Sequence, residues 1–319
     1  MNWLRVNRNR RCPICNHIDW CLIAPDGGAV LCMRLASDRE KRLRDGSLGW
    51  IHTTGSACMQ TQRYTHADAV ALEVCINVDR VLARFAMHTR PAEVAMHAEA
   101  LGVTPESLHR LGICAAEQPR TWAYPMYRFA DGFQEPCGIR LRNEFGQKWT
   151  VRGSRSGIFI PQGLTGAGPL LICEGPTDTA AALSFGFDAI GRPSCNGCSE
   201  EILSLLAGRR QELVIIADGD IPGRLGAARL ALDLLPRPCK IVIPLYAKDM
   251  RAWKQNGCTR AVLQAMITNQ RPLLATTLRQ QVRDLTAKLA TRGRSIHAGA
   301  SSLPMEQSTP QPAPAGGSL

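Results

Sequence analysis

The sequence predicts an α/β protein. A small metal-stapled module comes first, then a helical connector, a β-rich basic segment and a Rossmann-like parallel sheet. Three observations carry this. Four of the thirteen cysteines fall in the first 55 residues, aromatic and β-branched residues alternate with polar ones over 119–161, and from 169 onward short apolar runs alternate with helical stretches. The last pattern is that of strands buried on both faces by crossover helices.

Taken in order, residues 1–55 form the first unit. Cys12-Pro-Ile-Cys15 has the spacing of a zinc knuckle, a turn that aims two thiolates at one point. Cys32 follows a predicted hairpin of Trp20–Ala24, the turn Pro25-Asp26-Gly27-Gly28 and Ala29–Leu31. A structural zinc takes four ligands. The fourth is either His52, after Gly49-Trp50-Ile51, or Cys21 within the hairpin. His52 is preferred, because imidazole is an ordinary zinc ligand and a returning loop can reach the knuckle. Cys195-x-x-Cys198 lacks a second pair nearby and reads as loop, and the remaining cysteines read as packing positions.

Residues 60–115 are rich in Ala, Leu, Val and Met at helical spacing, with a helix start at Thr104-Pro105-Glu106. Residues 116–168 read as antiparallel hairpins turning at Asp131-Gly132 and Phe145-Gly146. Over 169–262, Leu170–Cys173, Ala189–Ile190, Leu213–Ala217 and Lys240–Pro244 are predicted strands, separated by helices at Thr179–Phe185, Glu200–Ala207 and Leu225–Leu235. Within 263–319, an apolar stripe of Leu274, Leu278, Val282, Leu285 and Leu289 predicts a helix that packs on the core. Residues 292–319, rich in Gly, Ser, Pro and Gln, read as disordered.

The net charge of +11 suits a phosphate-coated partner, nucleic acid first. Residues 1–11 are basic with no apolar region behind them, so no secretory signal is expected and the location is expected to be cytoplasmic. No run of 18 apolar residues could span a bilayer, so no membrane association is expected. Without export, free thiols and a metal cluster are expected rather than disulfides.

The strongest chemical signal is a pair of strand ends. One reads Leu170-Leu-Ile-Cys-Glu174-Gly175-Pro-Thr-Asp178, the other Leu213-Val-Ile-Ile-Ala-Asp218-Gly219-Asp220-Ile-Pro-Gly223-Arg224. In an open α/β sheet ligands sit beyond the carboxyl ends of the strands. Carboxylates gathered there raise one another's pKa unless a hard cation joins them. Glu174, Asp218 and Asp220 are therefore candidates to hold Mg2+ or Mn2+, with Glu174 alternatively a general base. Gly219 and Gly223 are expected to let backbone and phosphate approach closely.

These motifs, with Gly223-Arg224 opening the next helix, resemble the TOPRIM domain of bacterial and phage DNA primases, topoisomerases and some nucleases, over about 170–260. The cysteine module is similar to the zinc ribbon at the N-terminus of primases, although no cysteine stands three residues beyond Cys32. The segment Trp122–Pro161 is similar to the basic subdomain of primase cores. That resemblance implies that Arg140, Arg142, Lys148 and Arg152 bind nucleoside triphosphate and template, with Gly175, Gly223 and Arg224 beside them. Their charge opposite an acidic metal site agrees with such a role. Tyr246-Ala-Lys248-Asp249 resembles the acidic segment after the Asp-x-Asp motif, so Asp249, like Asp178, is a further candidate for the metal.

The resemblance implies a primase that makes short RNA primers from NTPs on single-stranded DNA, using Zn2+ and Mg2+ or Mn2+. With no G-x-x-x-x-G-K-[ST] loop in the sequence, a separate replicative helicase is the expected partner, as in a phage or plasmid replication system. A TOPRIM nuclease and a non-catalytic zinc-ribbon DNA-binding protein are the alternatives. A topoisomerase is disfavoured, because the four tyrosines lie in no evident nucleophile domain.

Overall fold

The computed structural model describes residues 3–7, 9–18, 20–43, 48–54, 76–130 and 133–300, with side chains as far as 291 and without those of 42, 48 and 130. The Asp131-Gly132 turn, Cys58, Cys75 and the opening of the expected connector at 60–75 lie outside these residues.

The first strands are β1 (Leu4–Arg5), β2 (Leu22–Ile23), β3 (Ala29–Cys32), β4 (Glu40–Arg42) and β5 (Leu48–Thr53). They pair antiparallel in the order β1-β2-β3-β5-β4. The β2–β3 hairpin turns through Gly27 at φ 71°, a left-handed conformation that glycine adopts without strain.

Three helices follow: α1 (Val78–His88), α2 (Pro91–Leu101) and α3 (Pro105–Arg110). Each starts where its sequence says it should. The Asn77 side chain accepts the Arg80 N–H, and Thr104 accepts the Ser107 N–H, with Pro at the first turn of α2 and α3.

The antiparallel sheet of β6 (Cys114–Ala115), β7 (Thr121–Ala130), β8 (Phe133–Asn143) and β9 (Lys148–Thr150) comes next. It is followed by β10 (Leu170–Glu174), α4 (Pro176–Ser184), β11 (Asp188–Arg192), α5 (Ser199–Leu206), β12 (Leu213–Ile216), α6 (Ile221–Asp233) and β13 (Cys239–Val242). These four strands are parallel, in the order β11-β10-β12-β13. Alternate residues face opposite layers. Leu171, Cys173, Val214 and Ile216 pack with Ala180–Leu183 of α4, while Leu170, Ile172, Leu213 and Ile215 pack with α5 and α6.

The chain closes with α7 (Met250–Gln255), α8 (Arg260–Asn269) and α9 (Ala275–Ala300). Here one expectation is corrected, since α9 continues through 292–300, where composition predicts disorder. Nothing in that stretch forbids a helix: proline is absent until Pro304, and a helical glycine costs only about 1 kcal/mol.

Two contacts fix the geometry that matters. The segment Ile158–Phe159 bridges the sheets: Ile158 exchanges backbone hydrogen bonds with Tyr127 of β7 at 2.8 and 2.9 Å, and Phe159 does so with Gly191 of β11 at the same lengths. The antiparallel sheet is thereby held against the carboxyl end of the parallel one. The cysteine module meanwhile seats on α6 and α9, where Ala36 and Trp50 bury against Leu225 and Leu289. Arg229 pairs there with Glu40 and lies 5.6 Å from the Trp50 ring centroid.

Among the described residues no helix is long and apolar enough to cross a membrane.

Candidate functional site

Glu174 ends β10, and the chain then turns through Gly175 at φ 90° into α4, whose first turn carries Asp178. Asp218 follows β12 after Ala217. Asp220 caps α6, its Oδ1 accepting the Gly223 N–H at 2.8 Å. Asp249 caps α7, accepting the Ala252 N–H at 2.7 Å, and the neighbouring Arg251 N–H donates to Asp178 Oδ1 at 3.0 Å. Five carboxylates from five elements thus lie near enough to act on one another.

Their charges bear on one another. Burial, then the charges of Glu174, Asp178, Asp249 and Asp220, push Asp218 up to about 9. Burial and Asp249 push Asp178 up to about 7, against the Arg251 N–H and Lys148. Glu174 is raised by burial, with Arg192, Lys148 and Lys248 pulling the other way. An acid cluster that holds protons at neutral pH is one that a cation would relieve.

Lys148 and Arg142 sit across β8–β9 in register and stand opposite these acids. Lost hydration and Arg142 lower Lys148, while Asp178 and Glu174 raise it, although much of the side chain remains in solvent. Arg142 donates to Thr177 Oγ1 at 3.2 Å, tying the basic sheet to the first turn of α4. Arg140 is buried, with its guanidinium 4.4 Å from the Trp20 ring centroid of the cysteine module. Arg152 lies exposed in the turn beyond β9, and Arg224 lines a hollow against α9 with Asp284 and Lys288.

Close approach of backbone was expected at two glycines, and the structure shows it. A Cβ on Gly223 would meet Asp218 Cβ at 2.6 Å and its backbone O at 2.9 Å, and one on Gly219 would meet Ala247 O at 3.3 Å. Sequence reasoning missed Arg192, paired with Glu174 at the tip of β11, and the Arg251 backbone N–H that reaches Asp178.

The donor set is all oxygen, which fits a hard divalent cation. Among the described residues only the cysteine group below brings three or more ligand atoms within 4.8 Å of one another. The acidic set is therefore open. It fits Mg2+ or Mn2+ held directly by one or two carboxylates, with the others acting through water and substrate phosphate completing the shell.

The second centre is Cys12, Cys15, Cys21 and Cys32, whose sulfurs all lie within 4.8 Å. Cys21 Sγ is 3.6 Å from Cys15 Sγ and 3.9 Å from Cys32 Sγ. Four sulfurs at 2.3 Å from a tetrahedral ion stand about 3.8 Å apart, so the group fits zinc. Backbone N–H groups of Met33 and Leu35 donate to Cys21 and Cys32 at 3.4 and 3.3 Å, as a thiolate cluster requires. The preference for His52 is corrected: β5 pairs it with Val30, and its Nε2 lies 2.9 Å from Leu35 O, outside the sulfur cluster.

Fold and site together define a class: a parallel sheet with carboxylates at its strand tips, a basic sheet facing it, and a four-cysteine module. No family model and no curated protein matches the chain. Among solved structures it is similar to the zinc-binding and RNA polymerase domains of the Aquifex aeolicus primase, at 13% identity over 96% of this chain and 93% of that one, with a TM-score of 0.49. It is similar to the E. coli primase catalytic core, at 15% identity over 72% and 98%, TM-score 0.48. It also resembles a DnaG primase catalytic domain bound to single-stranded DNA, at 15% identity over 68% and 96%, TM-score 0.47.

Proposed function

We propose that this chain is a DNA primase of the TOPRIM type, synthesising short RNA primers from NTPs on a single-stranded DNA template. One observation carries the reading: carboxylates from separate strand tips and helix caps gather beyond the carboxyl end of the parallel sheet, with Lys148 and Arg142 facing them. That pairing of acids for a cation with bases for phosphate is what phosphoryl transfer needs.

In the reaction a ribose 3′ oxygen bonds to the α-phosphorus of an incoming triphosphate, the bond to the β-phosphate bridging oxygen breaks, and pyrophosphate leaves. A divalent cation, when bound, supplies positive charge to the reacting phosphate and lowers the pKa of the hydroxyl. Glu174, Asp218 and Asp220 are assigned to hold it, with Asp178 and Asp249 behind them. Lys148 and Arg142 orient the triphosphate, and Arg140 fixes the basic sheet against Trp20. The cysteine module, holding zinc, faces the template. Duplex opening is assigned to a separate helicase, in the setting of a mobile element's replication.

The test is primer synthesis on single-stranded DNA with labelled ribonucleotides and Mg2+ or Mn2+. Template-dependent RNA products are expected, and Asp218→Ala with Asp220→Ala should abolish them. Shortened DNA in place of new RNA would mark a nuclease, and binding without turnover a non-catalytic module.

A further inference from the structure

At the tip of β11, level with Glu174 across the parallel pairing, stands Arg192. Sequence motifs give it no role. It is 3% exposed, and no ion pair among the described residues reaches it. One terminal nitrogen donates to Cys195 O at 2.8 Å, while the Nε–H is buried with no partner. Asn196 Oδ1, on the same loop, is also buried and unmet. Buried arginines are ordinarily paired and fully hydrogen-bonded.

Paired residues on neighbouring parallel strands project to the same face of the sheet, so Arg192 lies on the side of Glu174. Its charge is the strongest single charge on Glu174, and it acts on Cys173 and Cys195 as well. It therefore lies beside the acidic group, one strand over from Glu174. A counter-ion built for Glu174 would close to ion-pair distance and use its donors. Arg192 makes no ion pair among the described residues, and its buried Nε–H is left without a partner beside the acidic group.

We propose that Arg192 is a substrate-contacting residue whose Nε–H donates to a phosphate oxygen of the bound nucleoside triphosphate, so that the substrate is held by Arg192 and the Lys148–Arg142 pair. The inference rests on the primase reading for the identity of the substrate, and on the unmet buried donor for the residue. Arg suits the task because its planar fork keeps one donor on Cys195 O while offering another to the oxyanion.

The test uses the full chain with Arg192→Gln and Arg192→Lys, the second keeping the charge should the first not fold. Mn2+ binding is read by electron paramagnetic resonance without nucleotide, and ATP binding by equilibrium titration at saturating Mn2+. Mn2+ affinity equal to or above that of the unaltered protein is expected in both variants, with ATP affinity down about tenfold or more in R192Q and less in R192K. ATP binding unchanged in R192Q would overturn the proposal, whatever Mn2+ does, and so would an unaltered chain that binds no ATP. An unaltered chain that binds Mn2+ and ATP but makes no primer overturns the primase reading instead, and R192Q still decides the role of Arg192.

Discussion

At the scale of the residue, Asp218 is where competing demands meet. Its folded pKa of about 9 and that of Asp178, about 7, lie far above an unfolded carboxyl near 3.8. The folded chain therefore binds more protons than the unfolded one, and stability falls as pH rises through that window. Metal-free protein is expected to melt at progressively lower temperature from pH 6 to pH 9, with added Mg2+ restoring most at the high end. Asp218→Asn should flatten the profile and raise the metal-free melting temperature at pH 8 while abolishing primer synthesis. A profile flat in the unaltered protein would show that the acids do not crowd one another. The sulfur cluster gives a second single-residue test. Cys21→Ser should lose bound zinc by metal analysis, whereas His52→Ala should keep it.

At the scale of the element, helices approach the site so closely that glycine is required. A Cβ on Gly226 in α6 would meet Cys195 O at 2.2 Å and its Cβ at 2.6 Å. Gly226→Ala should cost about 1–3 kcal/mol of stability, read by denaturant unfolding, because the β11–α5 loop must move. The strand ends were legible in the sequence, since an apolar run that stops at a carboxylate and a glycine has few other readings. The helix after Asp218-Gly219-Asp220 was expected from Gly223-Arg224 onward, and it begins earlier, at Ile221, with Asp220 as its cap. Asp249 was legible as a candidate, but its facing of Asp178 depends on how α7 packs on α4, a contact between residues 178 and 251 that no local pattern encodes. Arg192 escaped for a similar reason. At a strand end a lone arginine looks like solvent-facing charge until the fold buries it. His52 misled because spacing along the chain says which residues can reach a point, whereas strand register decides which do.

At the scale of the whole molecule, no local pattern hinted that the cysteine module would be held in a fixed seat. That seat is made by Leu225 and Arg229 on α6 and Leu289 on α9 meeting Ala36, Glu40 and Trp50. Leu289 belongs to the stripe expected to pack on the core, and among its partners are Ala36 and Trp50 of the N-terminal module. Leu289→Asp changes no residue of that module, so it should leave bound zinc in place yet speed tryptic cleavage between the module and α1. Unchanged cleavage would mean that the seat adds no restraint. The seat also has a geometric consequence. Asp220 opens α6 and Arg229 lies nine residues further on, a span of roughly 13 Å at 1.5 Å per residue. One stiff rod thus sets the spacing between the anchorage of the first module and the acidic mouth, and a polymer gripped at both places would be measured against that rod as against a ruler.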